Sequence, residues 1–130
     1  MQKDDLKILL VEDDNSTLTT IRSMLAEISI HQVFEAKNGE EAQAFIDLDA
    51  ADIDLVISDW NMPQKNGFEL LKHLKETKPN LPFLMITGRG DENSVLDAID
   101  AGVGGYIKKP FSMKELETKI TNLFKQKKKA

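Results

Sequence analysis

Four strings in this chain carry side chains that could do chemistry together if the fold gathers them: Glu12-Asp13-Asp14, Asp59, Thr87 and Lys108-Lys109-Pro110. Each directly follows a short apolar run. Carboxylates brought to one place repel, raise one another's pKa and invite a proton or a cation to relieve the charge. With no cysteine in the chain, thiolate sites, disulfides and cysteine nucleophiles are excluded, and a metal must be held mostly by oxygen. Mg2+ is the natural candidate, since it favours octahedral oxygen sites, keeps several waters and uses one or two carboxylates beside a phosphoryl oxygen. Glu12, Asp13 and Asp59 taken with Lys109 leave two net negative charges, which one dication neutralises. Any one of these acids alone reads better as a helix cap or a solvated strand end. Their joint placement at strand ends points instead to a site for a hard divalent cation.

The elements that must position them are read from apolar periodicity. Ile8-Leu9-Leu10-Val11 and Leu55-Val56-Ile57-Ser58 are runs of the kind that form strands buried on both faces, each ending at an acid. Val33-Phe34 with Ala36 gives a weaker strand, Pro82 to Ile86 another, and Gly104 to Ile107 a short fifth. Between them apolar residues recur at helical spacing: Leu18, Ile21, Met24, Leu25 and Ile28; Ala42, Phe45 and Ile46; Phe68, Leu70, Leu71 and Leu74; Val95, Leu96 and Ile99; Leu116, Ile120, Leu123 and Phe124. Ser16 or Thr17 is expected to cap the first helix and Asp91 the fourth, while Asn38 with Glu41 and Ser112 with Glu115 have capping-box spacing. Pro63 and Gly67 punctuate the loop after Asp59.

Five strands alternating with five helices through short connections imply an α/β (βα)5 fold, a doubly wound five-stranded parallel sheet of flavodoxin-like type in a single domain. Ligands of such sheets lie beyond the carboxyl ends of the strands, where the four strings fall. The 130 residues, 41% hydrophobic, suit one core, with the domain expected over about residues 6–126 and a short charged tail, Lys125 to Lys129, after it. A net charge of −5 argues against a nucleic-acid partner. The absence of a long apolar run argues against membrane insertion, and a start of Met1-Gln2-Lys3-Asp4-Asp5 lacks a signal-peptide layout, so a cytoplasmic protein is expected. His31 and His73 have no partner at metal-ligand spacing and read as surface or helix residues.

Lys7-Ile8-Leu9-Leu10-Val11-Glu12-Asp13, Ser58-Asp59-Trp60-Asn61-Met62-Pro63, Thr87 and Gly105-Tyr106-Ile107-Lys108-Lys109-Pro110-Phe111 together resemble the receiver domains of two-component signalling, of CheY-like type, across essentially the whole chain. That resemblance implies Asp59 as phosphoacceptor and Asp13 as a direct Mg2+ ligand. It implies Glu12 reaching the metal mainly through water and Asn61 contributing its backbone carbonyl. Lys109 and Thr87 would contact phosphoryl oxygens, and the Lys109-Pro110 bond would be cis, an isomer that proline makes accessible. Thr87 and Tyr106 would act as a coupled switch altering the face made by helix four, strand five and helix five, where a downstream protein target binds. The phosphodonor would be a sensor histidine kinase or phosphotransfer domain, and the chemistry would be self-catalysed transfer and hydrolysis rather than turnover of an outside substrate.

Taken alone, Tyr106 reads as a half-buried strand aromatic and Trp60 as packing. A second registration would pair Asp13 with Asp14, but the ungapped run from Lys7 favours Glu12 and Asp13. After Thr87 the string Gly88-Arg89-Gly90-Asp91-Glu92 departs from the chemotaxis subgroup, which weakens a flagellar-motor role. Arg89 is either a modulator of water access to the acceptor or a solvated loop charge. Rival readings are a haloacid-dehalogenase-like phosphatase, which would need an acid where Asn61 stands, a flavin-binding protein, whose phosphate loop Gly102-Val103-Gly104-Gly105 does not match, and a receiver fragment of a larger regulator or hybrid kinase.

Overall fold

Apolar runs with both faces to bury and amphipathic runs with one alternate along the chain, and the computed structural model lays them out accordingly; it describes residues 5–48, 52–60, 66–88 and 92–129. The order is β1 (Lys7–Val11), α1 (Asn15–Glu27), β2 (Gln32–Ala36), α2 (Gly39–Asp47), β3 (Leu55–Asp59), α3 (Gly67–Thr77), β4 (Phe83–Thr87), α4 (Glu92–Asp100), β5 (Gly105–Lys108) and α5 (Met113–Lys129). The strands form one sheet in the order β2-β1-β3-β4-β5, with every neighbouring pair parallel. From β1 the chain first winds outward to β2 and then returns past β1 to β3, so the switch point lies between β1 and β3. Glu12 follows the first of these strands and Asp59 ends the second.

Successive strand residues point to opposite faces, and the core divides accordingly. Ile8, Leu10, Leu55, Ile57, Leu84 and Ile86 pack with Leu18, Ile21 and Leu25 of α1 and Leu116, Ile120 and Leu123 of α5. Leu9, Val11, Val56, Phe83 and Met85 pack on the other face with residues of α2, α3 and α4, among them Ala42, Leu70, Leu74 and Ala98. Each fully buried aliphatic side chain of this kind contributes about 1.5–3 kcal/mol. β2, at the sheet edge, is half-buried over Gln32 to Phe34, exposed at Glu35 and buried only at Ala36, which accounts for its weaker apolar signal.

Helix starts differ in part from the sequence reading. Asp14, rather than Ser16 or Thr17, caps α1: its Oδ2 accepts from the Thr17 backbone N–H at 2.9 Å and the Thr17 hydroxyl at 2.7 Å. The short exit from β1 brings an acid to the cap position one residue before the helix begins. Asn38 caps α2 by accepting from the Glu41 N–H, but the Glu41 carboxylate takes the N–H of Lys37 instead of closing a box on Asn38. The Ser112–Glu115 box of α5 forms in both directions. So does a box that the sequence reading passed over, Asn66 with Glu69 at the start of α3. The expected Asp91 cap lies outside the described residues.

Candidate functional site

The strand ladder continues beyond the strand ends and fixes the backbone of the site. Glu12 donates its N–H to the Ala36 carbonyl at 3.0 Å, Trp60 to Ile86 at 3.0 Å and Lys109 to Thr87 at 2.8 Å. Gly67, the first residue of α3, donates to the Trp60 carbonyl at 3.1 Å. A Cβ added at Gly67 would stand 2.7 Å from the Asp59 carbonyl oxygen and 2.9 Å from the Trp60 ring, so α3 approaches the end of β3 as closely as only glycine permits. Trp60 is buried and meets Phe68 edge-on, ring centroids 5.7 Å apart.

On this frame Glu12, Asp13 and Asp59 offer carboxylate oxygens that all lie within 4.8 Å of one another. Glu12 is only 1% exposed and Asp59 is 7% exposed, while Asp13 faces solvent. Lys109 bridges the two buried acids, its Nζ 3.4 Å from Glu12 Oε1 and 3.6 Å from Asp59 Oδ2. The Asp14 N–H donates to Glu12 Oε2 at 3.0 Å. Burial is the main cause that raises the Glu12 carboxyl from 4.5 to about 7, with the negative charge of Asp59 adding to it and the Asp14 N–H and Lys109 opposing it. Asp14, by contrast, is held below the ordinary aspartate range by its hydrogen bonds from Thr17. The acids that share the central space are therefore Glu12 and Asp13 with Asp59, and Asp14 is committed to the helix.

Thr87 is fully buried at the end of β4, and the Lys109–Pro110 peptide is cis. Tyr106 on β5 is half-buried, with Lys119 Nζ of α5 lying 5.4 Å from its ring centroid. Asn61 and Arg89 lie outside the described residues, as do the side chains of Lys125 to Lys129. His73 pairs with Asp47 at 3.0 Å across α3 and α2, away from the acids, and His31 is exposed. One rim feature was absent from the sequence reading: Lys37, following β2, reaches Asn15 at the start of α1. Only the strand order reveals that contact.

The donor set fits a hard cation. Its ligands are carboxylate oxygens alone, close enough to share one ion, and three carboxylates beside the Lys109 ammonium leave negative charge for a cation to neutralise.

A parallel sheet with paired acids beyond β1, an acid at the end of β3 and a lysine beyond β5 defines a class of signalling α/β domain, and residues 8–121 match the family described as response regulator receiver domain. The chain belongs to that family and is a CheY-like receiver of two-component signalling. Among individual proteins it is similar to chemotaxis protein CheY-3 of Vibrio cholerae, 35% identical over 124 residues that cover 94% of each chain. It is also similar to chemotaxis protein CheY1 of Helicobacter pylori, 36% identical over 117 residues, 88% of this chain and 94% of that one. Among solved structures, a response regulator receiver domain protein from Clostridium thermocellum superposes with a TM-score of 0.86 at 30% identity, covering 95% of this chain and 97% of the other. No helix among the described residues is long and apolar enough to cross a membrane.

Proposed function

We propose that Asp59 is the phosphoacceptor of a two-component phosphorelay, charged by a sensor histidine kinase or phosphotransfer domain and read by a protein target on the face of α4, β5 and α5. The observation that carries this reading is the carboxylate trio within 4.8 Å, spanned by the Lys109 ammonium, at the carboxyl edge of a parallel sheet. An Asp59 oxygen forms the new O–P bond as the P–N bond to the donor imidazole breaks, and the electron pair leaves with the ring nitrogen. Lys109 turns from the carboxylates to a phosphoryl oxygen, and the Thr87 hydroxyl donates to another. Glu12, Asp13 and Asp59, with the backbone carbonyl of Asn61, would hold Mg2+. When bound there, the ion supplies neutralising charge to the phosphoryl oxygens.

The resulting acyl phosphate is open to attack by water, so the signal limits itself and the protein turns over no outside substrate. Phosphorylation adds charge and acceptor oxygens at one sheet edge, which draws Thr87 inward and favours the Tyr106 position that fills the space behind it. Leu96 and Ile99, on α4, are exposed large apolar residues and offer the target a hydrophobic contact. A cytoplasmic setting follows from such a donor and target.

Acetyl phosphate added to the wild type and to Asp59→Asn, with and without Mg2+, tests the reading by intact mass and Trp60 fluorescence. One phosphoryl increment requiring both Asp59 and Mg2+ is expected. An increment that survives Asp59→Asn, or none in the wild type while beryllofluoride also fails to bind, would overturn it.

A further inference from the structure

Helix α3 packs directly against α2, whereas a groove of about 450 Å³ opens between α3 and α4. Phe68, Lys72 and Lys75 line it from α3, and Asp97 and Asp100 of α4, with Ala101 just after that helix, line it from the other side. Among the described residues no salt bridge crosses it. One wall is thus led by lysines and the other by aspartates, and the floor between them is apolar. Glu76 tempers the lysine wall from its edge.

The two walls match each other in spacing. Lys72 and Lys75 are three residues apart on one helix, Asp97 and Asp100 three apart on the other, so each pair spans about 4.5 Å of helix axis. The lysines are also held in place. Lys72 Nζ lies 5.3 Å from the centroid of the Phe68 ring, and the Lys75 stem rests on the turn after α4, where a Cβ on Gly102 would meet its Cε at 3.0 Å.

We propose that this α3–α4 face is a self-association surface whose occupant is a second copy of the chain. A two-fold contact requires a patch complementary to itself, and a lysine wall beside an aspartate wall of equal spacing has that property. Both helices cross back over a parallel sheet and so run the same way, and a dyad running along the groove sets α3 of one copy on α4 of the other, pointing in the same direction. Lys72 then meets Asp97 of the second copy and Lys75 meets Asp100 of the second copy, with the same pairs repeated across the axis. The net charge of −5 on each chain opposes the encounter, so the dimer is weak and forms at high protein concentration.

Sedimentation equilibrium of the full chain, without phosphodonor and at up to about 1 mM protein, tests this. The wild type is expected to rise toward the dimer mass. Lys72→Glu with Lys75→Glu, and separately Asp97→Lys with Asp100→Lys, are expected to stay monomeric over the same range, a loss of more than about tenfold in affinity. An equimolar mixture of the two variants should associate again, because every like-charged wall then meets its opposite. A wild type that stays monomeric throughout, swapped variants that each associate as the wild type does, or a mixture that fails to associate would each overturn the proposal. Circular dichroism confirms the fold of the variants, and if a swap unfolds the chain, Lys72→Ala with Lys75→Ala carries the same expectation of weakened association.

Discussion

Replacing Glu12 with glutamine isolates the energetic cost of the acid cluster. The glutamine has the same shape and its amide oxygen can still accept from the Asp14 N–H, while its NH2 takes the place of Oε1 beside the Lys109 ammonium and gives up that ion pair. In the wild type the Glu12 carboxyl titrates near 7 when folded against 4.5 ordinarily, so between those values the folded chain holds the proton more tightly than the unfolded one. The stability that this tighter hold contributes is complete below pH 4.5 and is lost as the pH rises through about 7. At about 1.4 kcal/mol per pH unit, the interval from 4.5 to about 7 corresponds to about 3 kcal/mol. The Glu12→Gln protein lacks that slope and should gain on the wild type as the pH rises, from near equality at about pH 4.5 to an advantage of about 3 kcal/mol at about pH 8.5. Urea unfolding in EDTA, followed by the single tryptophan, Trp60, reads this directly. With an m-value of about 1.5 kcal/mol/M, the midpoints should separate by roughly 2 M at the alkaline end. A difference that stays flat with pH would refute the burial of the Glu12 carboxyl as the cause of its raised pKa. Mg2+ should then raise the alkaline midpoint of the wild type more than that of the variant, since binding to the folded state stabilises it.

Two further changes test the frame around the cluster. Gly67→Ala forces a methyl against the Asp59 carbonyl and the Trp60 ring, and the expected result is a loss of about 1–3 kcal/mol with a changed Trp60 emission. Asp14→Ala removes the α1 cap, so thermal stability at neutral pH should fall. Because the Asp14 carboxyl is held below the ordinary aspartate value, its contribution is present above that value and is lost as the pH falls through the folded one, and the gap to wild type should narrow in acid.

The fold was legible wherever burial imposes a pattern. β1, β3 and β4 lie inside the sheet with both faces covered, and their unbroken apolar runs gave their positions to within a residue. β2 was harder because an edge strand tolerates Gln32 and Glu35. Caps were legible as a type more than as a position: Asp14, Ser16 and Thr17 are all good N-caps, and the choice depends on where the chain leaves β1. The Asn66–Glu69 box has the same spacing as Asn38 and Glu41, but it overlaps the Pro63 and Gly67 turn signals, which mask a helix start. The acid cluster was legible because its members follow strands of one sheet, although Glu12 and Lys109 are 97 positions apart. What stayed hidden were contacts between exposed residues of separate elements: Arg22 with Glu35, His73 with Asp47, Lys37 with Asn15, and the groove between α3 and α4. Those depend on helix rotation and strand order, which no local pattern encodes.

The division of the core into two clusters that share no residue has an evolutionary corollary. The sheet is the common wall, so substitutions beneath α1 and α5 need no compensation beneath α2, α3 and α4. The proposed target face draws α4 from one flank and α5 from the other, so either half of that face can drift in shape without repacking the core beneath its neighbour.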